Sequence, residues 1–220
     1  MLFRSPRGAH PRQFVRPPDR EEFRILQEAA GGRIRMVTLA PEAGGALDFI
    51  AWLAGQNILV SLGHTGASPE RIREAVRAGA RFSTHLGNAA HATLPRHPNY
   101  IWEQLAADEL WASFIVDGHH LPAAVVKSMM RAKGVKRSVL VTDAVAPAGC
   151  PPGPYQLGEV AIELTAEGRV EMRGSQKPRL AGSALRMDRA VENTVRFAGI
   201  RLADALDMAG PQPEIGRAHV

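Results

Sequence analysis

Cysteine is almost absent from the 220 residues: Cys150 stands alone, so no internal disulfide can form, and this usage suits a reducing cytoplasm. Aromatic residues make up only 5% of the chain, too few for the stacking platforms of single-strand nucleic-acid binders. No run of 18 or more apolar residues occurs, which argues against a membrane span. The opening MLFRSPRGAHPRQF lacks the apolar stretch of a secretory signal. The net charge of +5 owes much to Arg4, Arg7, Arg12, Arg16, Arg20 and Arg24. These are interleaved with prolines and acids, so they read as a solvated loop leading into a helix and not as a nucleic-acid arm.

What is present is 45% hydrophobic residue, enough for a substantial core, arranged as apolar runs alternating with helical patterns. Strands are predicted within 34–42, 57–65, 80–86, 111–120 and 137–144. Helices are predicted over 47–56, 68–79, 122–134, 184–199 and 202–210. In the second helix Ser68 is a good N-cap, Pro69 suits the first position and Gly79 suits the end. The strands are near-continuous apolar runs, the pattern of a parallel sheet covered on both faces, so the fold class is α/β. Residues 155–174 break the pattern and read as a β-hairpin with its turn near Glu167-Gly168. The last seven residues, EIGRAHV (214–220), have no periodicity and read as a non-native tail after a domain of residues 1–213.

A side chain able to bind metal or move protons follows every strand. Glu42 follows the first, His64 the second, His85 the third, Asp117, His119 and His120 the fourth, and Asp143 the fifth. In a parallel sheet these ends share one rim. Singly, each has an ordinary reading: Glu42 a solvated acid, His64 a loop residue, His85 a core histidine, Asp143 a helix N-cap. Together, one carboxylate and two imidazoles suit a divalent ion of the Zn²⁺ type, with Asp143 placed for proton transfer. That combination is suited to amide hydrolysis.

The ordered set TLAPE, SLGHTGAS, AGARFSTHLGNAA, DGHH, LVTDAVAPAG, YQLG and LAGSALRM resembles the N-acetylglucosamine-6-phosphate deacetylases of the amidohydrolase superfamily, from about Gly8 to about Pro213. The resemblance implies a cytoplasmic enzyme that removes acetate from an amino sugar phosphate. It implies Glu42, His64 and His85 as metal ligands and Asp143 as general acid and base. It assigns substrate contacts to Asn88, Ala89, His120 and Leu180. Arg96 would reach the phosphate in a neighbouring subunit, hence a homodimer. Ser183 is open between lining the acetamide end and capping a helix. Gly87 and Ala90 stand where the family carries an aromatic residue and a methionine. By the same resemblance the five strands are the later part of a (β/α)₈ barrel, without its first three strands or the small β-sandwich. Such a piece, expressed alone, is expected to be poorly soluble or inactive. The alternatives are a different amidohydrolase acting on another N-acyl or cyclic amide, and a non-catalytic barrel fragment.

Overall fold

A computed structural model describes residues 6–174 and 179–213. The expected tail at 214–220 lies outside the described residues. Five parallel strands, β1 (Met36–Leu39), β2 (Leu59–Leu62), β3 (Ala80–Ser83), β4 (Trp111–Phe114) and β5 (Ser138–Leu140), lie side by side in chain order. Between them run α2 (Ala46–Ala54), α3 (Pro69–Ala78), α4 (Tyr100–Ala106) and α5 (Ala123–Lys133). α1 (Arg20–Ala29) precedes the sheet, and α6 (Met187–Ala198) and α7 (Leu202–Ala209) end the described chain. Among the described residues no helix is long and apolar enough to cross a membrane.

The helix ends follow from local chemistry. Asp19 caps α1 by accepting from the Glu22 amide at 2.8 Å. Ser68 caps α3 by accepting from Arg71, Pro69 opens it, and Gly79 closes it at φ +119. Asn99 caps α4 by accepting from the amides of Ile101 and Trp102. The sequence reading passed over α4, whose seven residues are too few to show a helical period.

β5 is buried throughout, and β2 and β4 at every position but the first, which explains their unbroken apolar runs. One core cluster, with Leu39, Ile50, Leu53, Val60, Leu62 and Ile72, fills the β1–β3 side. A second, with Phe114, Ile115, Leu140, Val126, Met130 and Met208, fills the β4–β5 side against α5, α6 and α7. Each such side chain contributes about 1.5–3 kcal/mol on burial.

The segment read as a hairpin is a three-stranded antiparallel sheet: β6 (Gly153–Leu157), β7 (Val160–Leu164) and β8 (Val170–Met172). Leu157 pairs with Val160, leaving Gly158-Glu159 as a two-residue turn, with Gly158 at φ +56. This first turn went unread because Gly158 is flanked by only five-residue strands. The turn at Glu167-Gly168 lies where the sequence placed it, with the Gly168 amide donating to Thr165 O at 3.0 Å.

Candidate active site

The carboxyl ends of the parallel strands converge on a cavity of about 950 Å³. Beneath the rim, outside the cavity lining, hydroxyls tie the first three strands together. Thr84, just past β3, lies 2.9 Å from the Thr38 hydroxyl of β1 and 2.5 Å from the Ser61 hydroxyl of β2. Gly63 lets the strands come this close, since a Cβ there would lie 2.7 Å from Thr38 Cγ2 and 2.9 Å from Thr84 Cβ. His85 is tied to the neighbouring strand: its amide donates to Ser113 Oγ at 2.7 Å.

In the cavity His64 and His85 face each other, Nε2 to Nε2 at 3.1 Å with rings inclined at 74°. Burial, then the adjacent His85 and His10, pushes the His64 pKa down to about 3. Burial also lowers the His85 pKa, with the nearby Asp143 carboxylate opposing the shift. Both rings are therefore neutral imidazoles, the form that ligates metals. Ligand atoms about 2.0–2.1 Å from a tetrahedral Zn²⁺ stand roughly 3.3–3.4 Å apart, so the pair fits two corners of such an ion. His85 Nδ1 is buried with no hydrogen-bond partner among the described residues.

Glu42 stands apart from the pair. Its Oε2 accepts from Thr65 Oγ1 at 2.6 Å and its Oε1 from the Gly66 amide at 2.7 Å, so the carboxylate braces the loop beyond His64. It does not line the cavity. Among the described residues no group of three or more His, Cys, Asp or Glu is placed to hold one ion. Two donors of the expected set are assembled; the third is engaged by the loop that follows β2.

Asp143 lines the cavity close enough to His85 for its charge to be felt there. It does not cap a helix. Its carbonyl accepts from the Ser183 amide at 2.9 Å, and the Val145 amide returns a bond to Ser183 O at 3.0 Å. Ser183 does not cap a helix either: Arg186 holds the N-cap position of α6, and the Ser183 hydroxyl donates to Thr142 O. The segment before it brings Leu180 to the cavity wall.

His64, His85, Ala89 and Asp143 all have left-handed backbones, at φ +51, +32, +46 and +52, and Asn57 is the only other such non-glycine among the described residues. Such conformations cost of order 1–3 kcal/mol each and gather at functional sites.

His120 also lines the cavity, and Asp117 orients it. Asp117 Oδ2 lies 2.6 Å from His120 Nδ1, and Oδ1 accepts from the His119 and His120 amides at 2.8 Å each. Burial opposes the Asp117 charge, yet these bonds hold its carboxyl below the usual range. The Asp117 carboxylate faces Nδ1 and so fixes the ring with Nε2 away from it. Asn88 and Ala89 line the wall, and the Asn88 side-chain nitrogen is buried without a partner among the described residues. Gly87 lies beside them at φ +93, where a Cβ would approach Met129 Cε at 3.0 Å and Leu121 Cδ2 at 3.1 Å. Arg96 is exposed on the loop before α4, outside the cavity lining. His91 and His97 are exposed too, and the His91 amide donates to Tyr100 Oη at 2.9 Å.

The sequence reading missed His10. The front segment folds over the site, so that the His10 ring lies 4.7 Å from that of His64 and Gly8 packs on the His64 ring. Gln13 Nε2 donates to Glu159 Oε2 at 2.6 Å, joining this segment to the β6–β7 turn at the cavity mouth. The only signal in the sequence was a histidine between Gly8 and Pro11, in a stretch with no period.

No family model matches the chain. It is 34% identical over 92% of its length to an N-acetylglucosamine-6-phosphate deacetylase of Lysinibacillus sphaericus, covering 51% of that protein. It is 38% identical over 94% of its length to an N-acetylgalactosamine-6-phosphate deacetylase of Escherichia coli O157:H7, covering 54% of it. Among solved structures, an N-acetyl-D-glucosamine-6-phosphate deacetylase mutant of Mycobacterium smegmatis, in complex with N-acetyl-D-glucosamine-6-phosphate, superposes with a TM-score of 0.92 at 32% identity. That match covers 99% of this chain and 57% of the other. The chain spans about half the length of the curated relatives it matches.

Proposed function

We propose that this chain is part of a metal-dependent deacetylase of the amidohydrolase type, which hydrolyses the N-acetyl group of an amino sugar phosphate. In this reading residues 1–213 are an incomplete barrel domain, and the five parallel strands are a wall of a (β/α)₈ barrel whose strand ends carry the chemistry. The observation that carries it is the pair of half-buried His64 and buried His85, 3.1 Å apart at Nε2, with Asp143 beside it on the same rim.

His64 and His85 would hold a divalent ion of the Zn²⁺ type. Glu42 joins them only if its carboxylate turns from Thr65 and Gly66. When bound, the ion polarises the acetyl carbonyl and makes water acidic near neutral pH. Asp143 takes the water proton and passes it to the departing nitrogen. Its backbone, bonded to Ser183, holds it in register with the imidazoles. His120, oriented by Asp117, and the unpartnered amide of Asn88 offer polar contacts to the sugar phosphate, with Ala89 beside them. Leu180 gives the acetamide an apolar wall. Arg96 contributes only across a homodimer, from its exposed loop. The relatives named above act on two hexosamine epimers, so the proposal is for the amino sugar phosphate class in a cytoplasmic enzyme.

Titration with Co²⁺ tests the metal pair without requiring turnover. Absorption bands of nitrogen-ligated Co²⁺ appear with the wild-type chain and are lost in His64→Ala and in His85→Ala. Bands that persist in both variants sink the reading. Glu42→Gln reports whether the carboxylate joins: weakened Co²⁺ binding places it in the site, and unchanged binding leaves it as a brace for the loop.

A further inference from the structure

We propose that Ser113 is a positioning residue for the metal pair: its hydroxyl holds the turn of backbone that presents the His85 imidazole to His64. This rests on the metal-dependent reading above and adds a residue outside the cavity lining. Ser113 lies in the run 111–116, where every other residue is apolar, and it is itself 2% exposed. A hydroxyl buried in such a run is costly unless it is hydrogen-bonded. Here it is used twice. Ser113 Oγ accepts from the His85 amide at 2.7 Å and donates to the Ser83 carbonyl at 3.3 Å. Ser83 and His85 flank Thr84, so one side chain of β4 clamps the chain on both sides of that residue.

The need for a clamp follows from the way β3 ends. Its register with β4 stops at the pair Ser83 and Ala112, and two residues later the backbone is left-handed, at φ +32 on His85. Such a conformation in a residue with a Cβ persists only where its surroundings fix it. The neighbours on either side are fixed by main chain: the Thr84 amide donates to Leu62 O and the Leu86 amide to Ser113 O, at 2.8 Å each. The His85 amide between them takes the Ser113 hydroxyl instead. From the other flank, the Thr84 hydroxyl is held by those of Thr38 and Ser61. The end of β3 is thus gripped by β1 and β2 on one side and by β4 on the other, and the β4 grip is the one on the His85 amide. A metal-ligating histidine is ordinarily oriented by a partner on its second ring nitrogen. His85 Nδ1 has no such partner among the described residues, so its backbone does the orienting. Ser138 supplies the contrast. It is buried too, its Oγ donates to Gly134 O at 2.8 Å, and it sits at the start of β5, away from the strand ends that carry the histidines.

The test reads the ring pair in the full chain, first without metal and then with it. In the metal-free protein, labelled at histidine, a nuclear Overhauser cross-peak joins the ring protons of His64 and His85, assigned through His64→Gln and His85→Gln. Ser113→Ala loses the cross-peak and weakens Co²⁺ binding by about 10–100-fold, the loss typical when a ligand's supporting partner is removed. Ser113→Thr, which keeps the hydroxyl, retains both. Ser138→Ala lowers the urea midpoint and leaves both as in the wild type; a merely structural role for Ser113 would have the two alanine variants behave alike. The positioning role is overturned if the wild type shows no cross-peak, if the cross-peak survives in Ser113→Ala, if a wild type that binds Co²⁺ is matched by Ser113→Ala, or if Ser138→Ala weakens that binding equally. A Ser113-dependent cross-peak in a wild type that binds no Co²⁺ upholds the positioning role and sinks the metal reading. Should Ser113→Ala not fold, or Ser113→Thr not fit, Ser113→Cys decides. Its sulfur is a weak acceptor, so the cross-peak dims if the hydroxyl sets the turn, and an unchanged cross-peak overturns the role.

Discussion

At Gly182 the backbone runs at φ +76, and an added Cβ would lie 2.4 Å from Val145 Cγ1 and 3.1 Å from the Asp143 carbonyl. Gly182→Ala therefore strains the backbone and displaces the strand end that carries Asp143. It is expected to cost about 2–5 kcal/mol by urea unfolding, the sum of a left-handed penalty and overpacking. A loss within a few tenths of a kcal/mol would show that the two segments part easily. Single residues were legible where the chain delivers them from a strand. His64, His85 and Asp143 each follow an apolar run, so the run predicts the rim and the rim predicts their proximity. Glu42 obeys the same rule and still faces elsewhere, because a hydroxyl and an amide of the adjacent loop satisfy its oxygens. Local hydrogen bonding of that kind leaves no trace in periodicity. His10 was illegible for a different reason: it reaches the site through a loop, and loop paths have no repeating pattern to read.

Among the elements, α4 is the short one, and its carboxyl end is held from outside. Lys133 of α5 is buried and donates to Gln104 O at 2.9 Å and Ala107 O at 2.6 Å, placing an ammonium where the helix dipole favours a cation. Burial, with help from Arg137 and against Asp108 and Glu109, pushes its pKa down from 10.5 to about 8. The folded state therefore gives up this proton before the unfolded chain does. The contribution of Lys133 to stability is lowest below about pH 8 and rises as pH climbs toward 10.5. Lys133→Met leaves two carbonyls without their donor and should destabilise the fold by about 1–3 kcal/mol at pH 7. The wild-type advantage over Lys133→Met should then grow between pH 8 and 10, read from paired urea titrations; a shrinking advantage would contradict the assignment. Elements were read well where caps and length agree, as in α3 with Ser68, Pro69 and Gly79. They were read poorly where length fails, as in α4, although its Asn99 cap stood in the sequence. In the β6–β8 sheet one tight glycine turn doubled the number of hairpins.

For the molecule as a whole, the sheet has an open side. β1 pairs only with β2, and its outer edge has no strand partner among the described residues. Met36 at its start is 43% exposed. An uncovered edge with an apolar side chain invites association of chains. The purified chain is expected to self-associate with rising concentration, and Met36→Lys to shift light scattering toward monomer while leaving circular dichroism unchanged. Equal association in both proteins would clear this edge. The parallel α/β character was legible from unbroken apolar strands, because burial on both faces removes alternation. Whether a sheet stays open or closes is not written in such runs, since it depends on which strands meet at the two edges and not on the pattern within any strand. The left-handed backbone shared by His64, His85 and Asp143 has a further bearing on how this chain would drift in the laboratory. A library screened for heat resistance alone should replace these positions early, with glycine or asparagine, keeping the backbone and discarding the two imidazoles and the carboxylate that it presents.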